Sequence, residues 1–262
     1  MADLPPIDTT VAHSARVWNY WLGGKDHYPV DREVGDFVLQ AYPEMVAAAR
    51  ADRGFLVRAV TFLAGEAGID QFLDVGTGLP THNNTHEVAQ AVSPGARVVY
   101  VDNDPMVLSH ARALLTGPDV HDVRYVDADL HDPEEVLGAA RAYLDFDRPI
   151  GLTVLGTMGH TADDERAYAA VRTYVDALPA GSHLALCDGS NTSEPMVEAA
   201  RRWNETAALP YHLRSPEQIA GFFAGLELVD PGVVPASLWR PPAAEVGAPE
   251  PVDQYCGVAR KP

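Results

Sequence analysis

Only two of the 262 residues are cysteine, Cys187 and Cys256, so no disulfide framework staples this chain, and no Cys/His cluster has zinc-ligand spacing. Basic residues are scarce too. Nineteen Lys and Arg stand against 37 Asp and Glu, a formal net charge of -18, which argues against a nucleic-acid partner because affinity for phosphates rests largely on Lys and Arg. No apolar run is long enough to span a bilayer, and the opening MADLPPIDTT lacks the basic and apolar regions of a signal peptide. These absences predict a cytoplasmic protein without a membrane partner. What is present is 47% hydrophobic residues, enough for one large core in a single α/β domain.

Short β-branched apolar runs alternate with Ala- and Leu-rich amphipathic runs, the pattern of a parallel sheet with crossover helices. Strands are predicted at QFLDV from Gln71, ARVVYV from Ala96, DVRYV from Asp122, IGLTVL from Ile150, SHLALC from Ser182, LELVD from Leu226 and QYCGVAR from Gln254. Helices are predicted over Thr85–Val92, Pro105–Leu115, Pro133–Leu144, Asp163–Leu178 and Glu194–Ala208, with Pro105 and Pro133 in the first turn, where proline is tolerated. The stretch from Pro241 to Pro251 is a surface loop by composition. Residues 1–68 differ in character: two or three helices broken at Gly23-Gly24, around Pro29 and near Pro43. They form an N-terminal extension or lid to a core of residues 69–262.

The segment LDVGTGLPT follows a strand and precedes a helix, the context of a nucleotide-binding turn in which glycines let backbone approach ligand. By itself G-x-G is weak. Two further acids strengthen it: Asp102 ends the second predicted strand, where a carboxylate can accept from ribose hydroxyls, and Asp129 follows the third, within reach of an adenine amine. Acids at strand ends are often only helix caps, but three on consecutive strand ends favour a ligand. Pro80 then separates two ligands. A dinucleotide rests its pyrophosphate on free helix N–H groups, and proline has none. S-adenosylmethionine carries adenosine without phosphate, and its sulfonium is not repelled by carboxylates.

These residues carry a resemblance. The stretches ARVWNYWLGGKDHYPVDRE, DRGFLVRAV, QFLDVGTGLPT with NTHEVAQ, and RVVYVDNDPMVLSHARALL resemble an actinobacterial family of S-adenosylmethionine-dependent methyltransferases whose members mostly lack an assigned substrate. The resemblance covers nearly the whole chain and is most specific in the first half. It implies a class I methyltransferase fold: a Rossmann-like, mostly parallel seven-stranded sheet with an N-terminal helical extension. It also implies that Asp74, Gly76 and Gly78 form the cofactor loop, that Asp102, with Asn103 beside it, is the ribose acid, and that Asp129 and Leu130 contact adenine. After the fourth strand, where many relatives carry a Leu-His pair, this chain has GTMGH, Gly156 to His160, so no catalytic role is carried over to that stretch.

Methyl transfer asks mainly for alignment and, for some acceptors, removal of a proton; it requires no metal in principle. Candidate bases are His160, His27 and the Tyr20/Tyr28 pair, each as readily a hydrogen-bonded structural residue. His82 and His86 belong with the cap of the helix after the glycine loop. Trp18, Trp21, Trp203 and Trp239 are more often core than a cage for a cation. Asp188 lines the substrate side or caps the next helix. The donor's methionine carboxylate needs a cation or N–H, for which Arg53 and Arg58 are the candidates; Gly23-Gly24 could bring backbone close, and Tyr20 or Tyr28 could cover the sulfonium. The expected function is methylation of a small molecule, with a cofactor-binding protein without turnover as the alternative. Oligomeric state is open.

Overall fold

The computed structural model describes residues 7–114, 122–242 and 249–262. The last residue of the predicted Pro105–Leu115 helix, the middle of the predicted Pro241–Pro251 loop and the opening MADLPP lie outside them.

Three helices come first: α1 (Ser14–Trp21), α2 (Pro29–Leu39) and α3 (Met45–Gly65). The breaks follow the sequence signals. Gly23 after α1 has φ +80°, a conformation glycine adopts freely, and Pro29 opens α2. The sheet is then built from β1 (Gln71–Val75), β2 (Arg97–Asp102), β3 (Val123–Asp127), β4 (Gly151–Leu155), β5 (His183–Gly189), β6 (Glu227–Leu228), β7 (Val234–Pro235) and β8 (Gln254–Arg260). Its order is β3-β2-β1-β4-β5-β8-β6, with β7 also paired to β8. The first five strands run parallel, and β8 is antiparallel to β5. This is the expected class I architecture with one two-residue strand, β7, beyond the seven predicted.

Helices α4 (Thr85–Val92), α5 (Pro105–Leu114), α6 (Pro133–Ala140), α7 (Asp164–Ala177), α8 (Glu194–Thr206) and α9 (Pro216–Gly221) complete the chain. Helix α9 was not predicted. Helix α6 ends at Ala140, short of Leu144, because the next bonds tighten to three-residue spacing, Ala142 N to Ala139 O and Tyr143 N to Ala140 O.

Strand alternation divides the core. Leu73, Val75, Leu184 and Leu186 face one layer with Val136, Val171 and Ile219, from α6, α7 and α9. Phe72, Ala185 and Cys187 face the other with Phe55, Leu56, Ala59, Val60 and Leu63 of α3. A third cluster joins Val17, Trp21, Val34 and Met45 of the first helices to Met196, Ala199 and Trp203 of α8. Residues 14–65 are therefore packed on the sheet and on α8. Both cysteines are buried and unpaired. Among the described residues no helix is long and apolar enough to cross a membrane.

Candidate active site

At the carboxyl ends of β1, β2, β3 and β4 lies a cleft of about 440 Å³, where open α/β sheets bind ligands. Its floor includes the loop after β1. Gly76 and Gly78 take φ of +72° and +66°. A Cβ on Gly76 would meet Thr157 Cγ2 at 2.2 Å, whereas one on Gly78 would point into open space. The loop is fixed from below. Gly76 N and Thr77 N donate to Val101 O at 2.8 and 3.2 Å, and Gly78 N donates to Asp102 Oδ2 at 2.8 Å.

The three acids sit in distinct environments. Asp74, at the end of β1, is buried and accepts from Thr85 Oγ1 at 2.5 Å; burial raises its pKa, partly offset by that bond. Asp102 accepts from Gly78 N and, through Oδ1, from Asp104 N at 2.9 Å. Burial raises its pKa, and those two N–H donors pull it back in part. Asp129 opposes burial with two contacts from His131, whose N and Nδ1 both lie 2.8 Å from Oδ1, and is held below the usual range. Asn103 and Leu130 line the cleft with them. Nearby, His13 Nδ1 lies 2.7 Å from Asp104 Oδ2, tying the start of α1 to the loop after β2.

The N-terminus of α4, where a pyrophosphate would rest, is already occupied. Asn84 and Glu87 form a capping box, and His86 N donates to Tyr100 Oη at 2.8 Å. Pro80, in the loop four residues before the N-cap Asn84, has no N–H to add to that end. The donor set fits adenosylmethionine: carboxylates near two strand ends for hydroxyls and an amine, glycine backbone at the floor, and two buried polar atoms in the cleft, Asp52 Oδ1 and Thr157 Oγ1, that have no hydrogen-bond partner in the protein.

Of the residues expected here, Asp74, Gly76, Gly78, Asp102, Asn103, Asp129, Leu130, Arg53 and His160 line the cleft. Five others do not. Tyr20 Oη donates to Asp36 at 2.6 Å, His27 packs edge-on against Tyr20, and Tyr28 caps α2. Gly24 closes on Asn19, whose side chain would be 2.3 Å from a Cβ there. Arg58 donates to Trp239 O at 2.7 Å and Ala236 O at 2.6 Å and is not part of the cleft wall. Besides Arg53, the described residues before β1 that reach the cleft include His13, Ser14, Trp18, Asn19, Asp52 and Leu56.

A small apolar chamber of about 40 Å³ adjoins the cleft, lined by Trp18, Trp21, Met45, Met196, Trp203 and Tyr211. His160 borders both spaces. It follows β4 in a short 3₁₀ turn, Met158–His160. Its Nδ1 lies 3.0 Å from Pro210 O, which can only accept, so Nδ1 carries the proton and Nε2 a lone pair. Burial lowers its pKa, more than the Pro210 carbonyl raises it. Beneath the chamber, Asp188 accepts from Tyr211 Oη and Gly189 N. Trp239 is core, packed on Phe55. Among the described residues no group of three or more His, Cys, Asp or Glu is placed to hold a metal.

Fold and cleft define a class I methyltransferase. The chain matches the S-adenosyl methyltransferase family over residues 2–262 and belongs to it; S-adenosylmethionine is its cofactor. It is similar to a DUF574 family protein from Streptomyces avermitilis MA-4680, at 43% identity and TM-score 0.92, over 98% of this chain and 100% of that one. It is also similar to a proposed methyltransferase from Thermobifida fusca YX, at 41% identity and TM-score 0.90, over 97% and 96%. The N-methyltransferase NodS from Bradyrhizobium japonicum WM9, solved with S-adenosyl-L-homocysteine, shares the fold at 13% identity and TM-score 0.50, over 94% and 99%. No curated protein matches the chain.

Proposed function

We propose that this methyltransferase acts on a small molecule, that the acceptor enters through the aromatic chamber, and that His160 takes its proton. The observation that carries this reading is the position of His160 between the cleft and the chamber. Bound S-adenosylmethionine supplies a methyl group on a positively charged sulfur. Asp102 accepts the ribose hydroxyls, Asp129 and Leu130 face the adenine, and the glycine loop lets the ligand approach backbone. His160 is kept neutral by burial, so Nε2 is free to receive a proton near neutral pH. Trp18, Trp21 and Trp203 exclude water from the transfer point and admit only a compact apolar group. Residues 1–68 act as a lid on the core of residues 69–262, closing it through α1 and α3. The net charge of -18 turns polyanions away, and two buried free thiols suit the reducing cytoplasm.

The test is transfer of isotopically labelled methyl into pooled small-molecule acceptors, against protein and nucleic-acid fractions. Label should enter the small-molecule fraction. His160→Gln should lower kcat by roughly 10²- to 10⁴-fold, with affinity for S-adenosylhomocysteine within about twofold. The wild-type rate should fall on acidification only below the ordinary histidine range, since the base is lost when Nε2 is protonated. Label confined to macromolecules, or a His160→Gln variant as fast as wild type, would sink the reading.

A further inference from the structure

Asp52 belongs to none of the sequence motifs that define the adenosine half of the site. It stands on α3 three and four residues before Phe55 and Leu56, in the stripe that continues through Ala59, Val60 and Leu63 and faces the sheet. Where that stripe reaches the sheet's carboxyl edge, an acid takes the place of an apolar residue. The side chain is 7% exposed and lines the cleft. Its Oδ1 has no hydrogen-bond partner better than the weakly donating Cys187 thiol, and burial raises its pKa against that thiol and the Arg53 charge. A buried carboxylate left in this state costs stability unless a cation completes it.

We infer that Asp52 receives the α-ammonium group of the cofactor's amino-acid end. The inference rests on the cleft being the donor site. With adenosine held at the ends of β2 and β3, the rest of the ligand extends past β1 toward β4 and α3, where Asp52 and Thr157 present unpartnered oxygens. Arg53 complements it. Its Nη2 donates to the carbonyls of His82 and Asn83 at 3.2 and 3.0 Å, which anchors the guanidinium at the cleft wall and leaves Nη1 to donate to a carboxylate. Adjacent residues on a helix diverge by about 100°, so the pair can grip the two charges of a zwitterion from two sides.

Two ligands separate the claim from the reading beneath it. S-adenosylhomocysteine carries the amino acid; 5'-methylthioadenosine keeps the adenosine and thioether but lacks it. Calorimetry on Asp52→Asn should show S-adenosylhomocysteine binding weakened roughly ten- to hundredfold and methylthioadenosine within about twofold, which also reports that the site is folded. In wild type, acidification should weaken S-adenosylhomocysteine more than methylthioadenosine, as Asp52 protonates. Equal losses for both ligands, or unchanged S-adenosylhomocysteine affinity, would overturn the role of Asp52. Wild-type protein binding neither ligand would instead overturn the donor-site reading.

Discussion

Arg16 Nε lies 3.1 Å from Asp31 Oδ1, with side-chain exposures of 4% and 0%. This pair locks α1 to α2. Asp31 also accepts from His13 N at 3.0 Å and Tyr28 N at 2.7 Å, and Arg16 donates to the Asp8 carbonyl at 2.9 Å and to that of Val11. Removing one member strands the other's charge in the interior. Asp31→Ala should therefore cost about 3–5 kcal/mol, measured by urea unfolding. Glu198→Gln, in the exposed cluster with Arg201 and Arg202 on α8, should cost less than about 1 kcal/mol. Similar losses for the two variants would contradict the account of the N-terminal helices.

Asp188 gives a pH prediction. It is buried at the end of β5 and its pKa is raised to about 6, by burial first, with the Tyr211 hydroxyl opposing. A carboxyl whose folded pKa exceeds its unfolded value favours folding while protonated. That contribution is complete below the unfolded pKa near 4 and is lost as pH rises through about 6. Wild type should therefore lose stability between pH 4 and 7 relative to Asp188→Asn, which keeps the shape without the charge. Parallel stability curves for the two proteins across that range would refute the assignment.

The glycine loop and its acids were legible because each sits at a strand end, and strand ends are marked by β-branched runs of five or six residues. Among the short elements, β6 is expected at its place but as a longer run, LELVD, of which only Glu227–Leu228 pair. Strand β7 was not legible: its two residues are too few for any alternation, and it ends on a proline. For α9 a signal existed: Ser215 and Gln218 form a capping box around Pro216, readable as S-P-E-Q. Arg58 shows a different failure. It is five residues from Arg53, which places it about 140° away around the helix, so the two could not serve one clamp. The same helical phase would have singled out Asp52, the acid in an apolar stripe. Tyr20, Gly24 and His27 required the fold of α1 against α2, which local sequence does not encode.

The most direct test is calorimetric titration of S-adenosylhomocysteine and NADH into wild type and Asp102→Ala, with urea unfolding to confirm the variant's fold. Wild type should bind S-adenosylhomocysteine and bind NADH poorly. Asp102→Ala should weaken S-adenosylhomocysteine by about 1–3 kcal/mol, the cost of hydroxyls left unpaired in a buried site. Tighter binding of NADH to wild type, or unchanged S-adenosylhomocysteine affinity in a folded Asp102→Ala protein, would contradict the account.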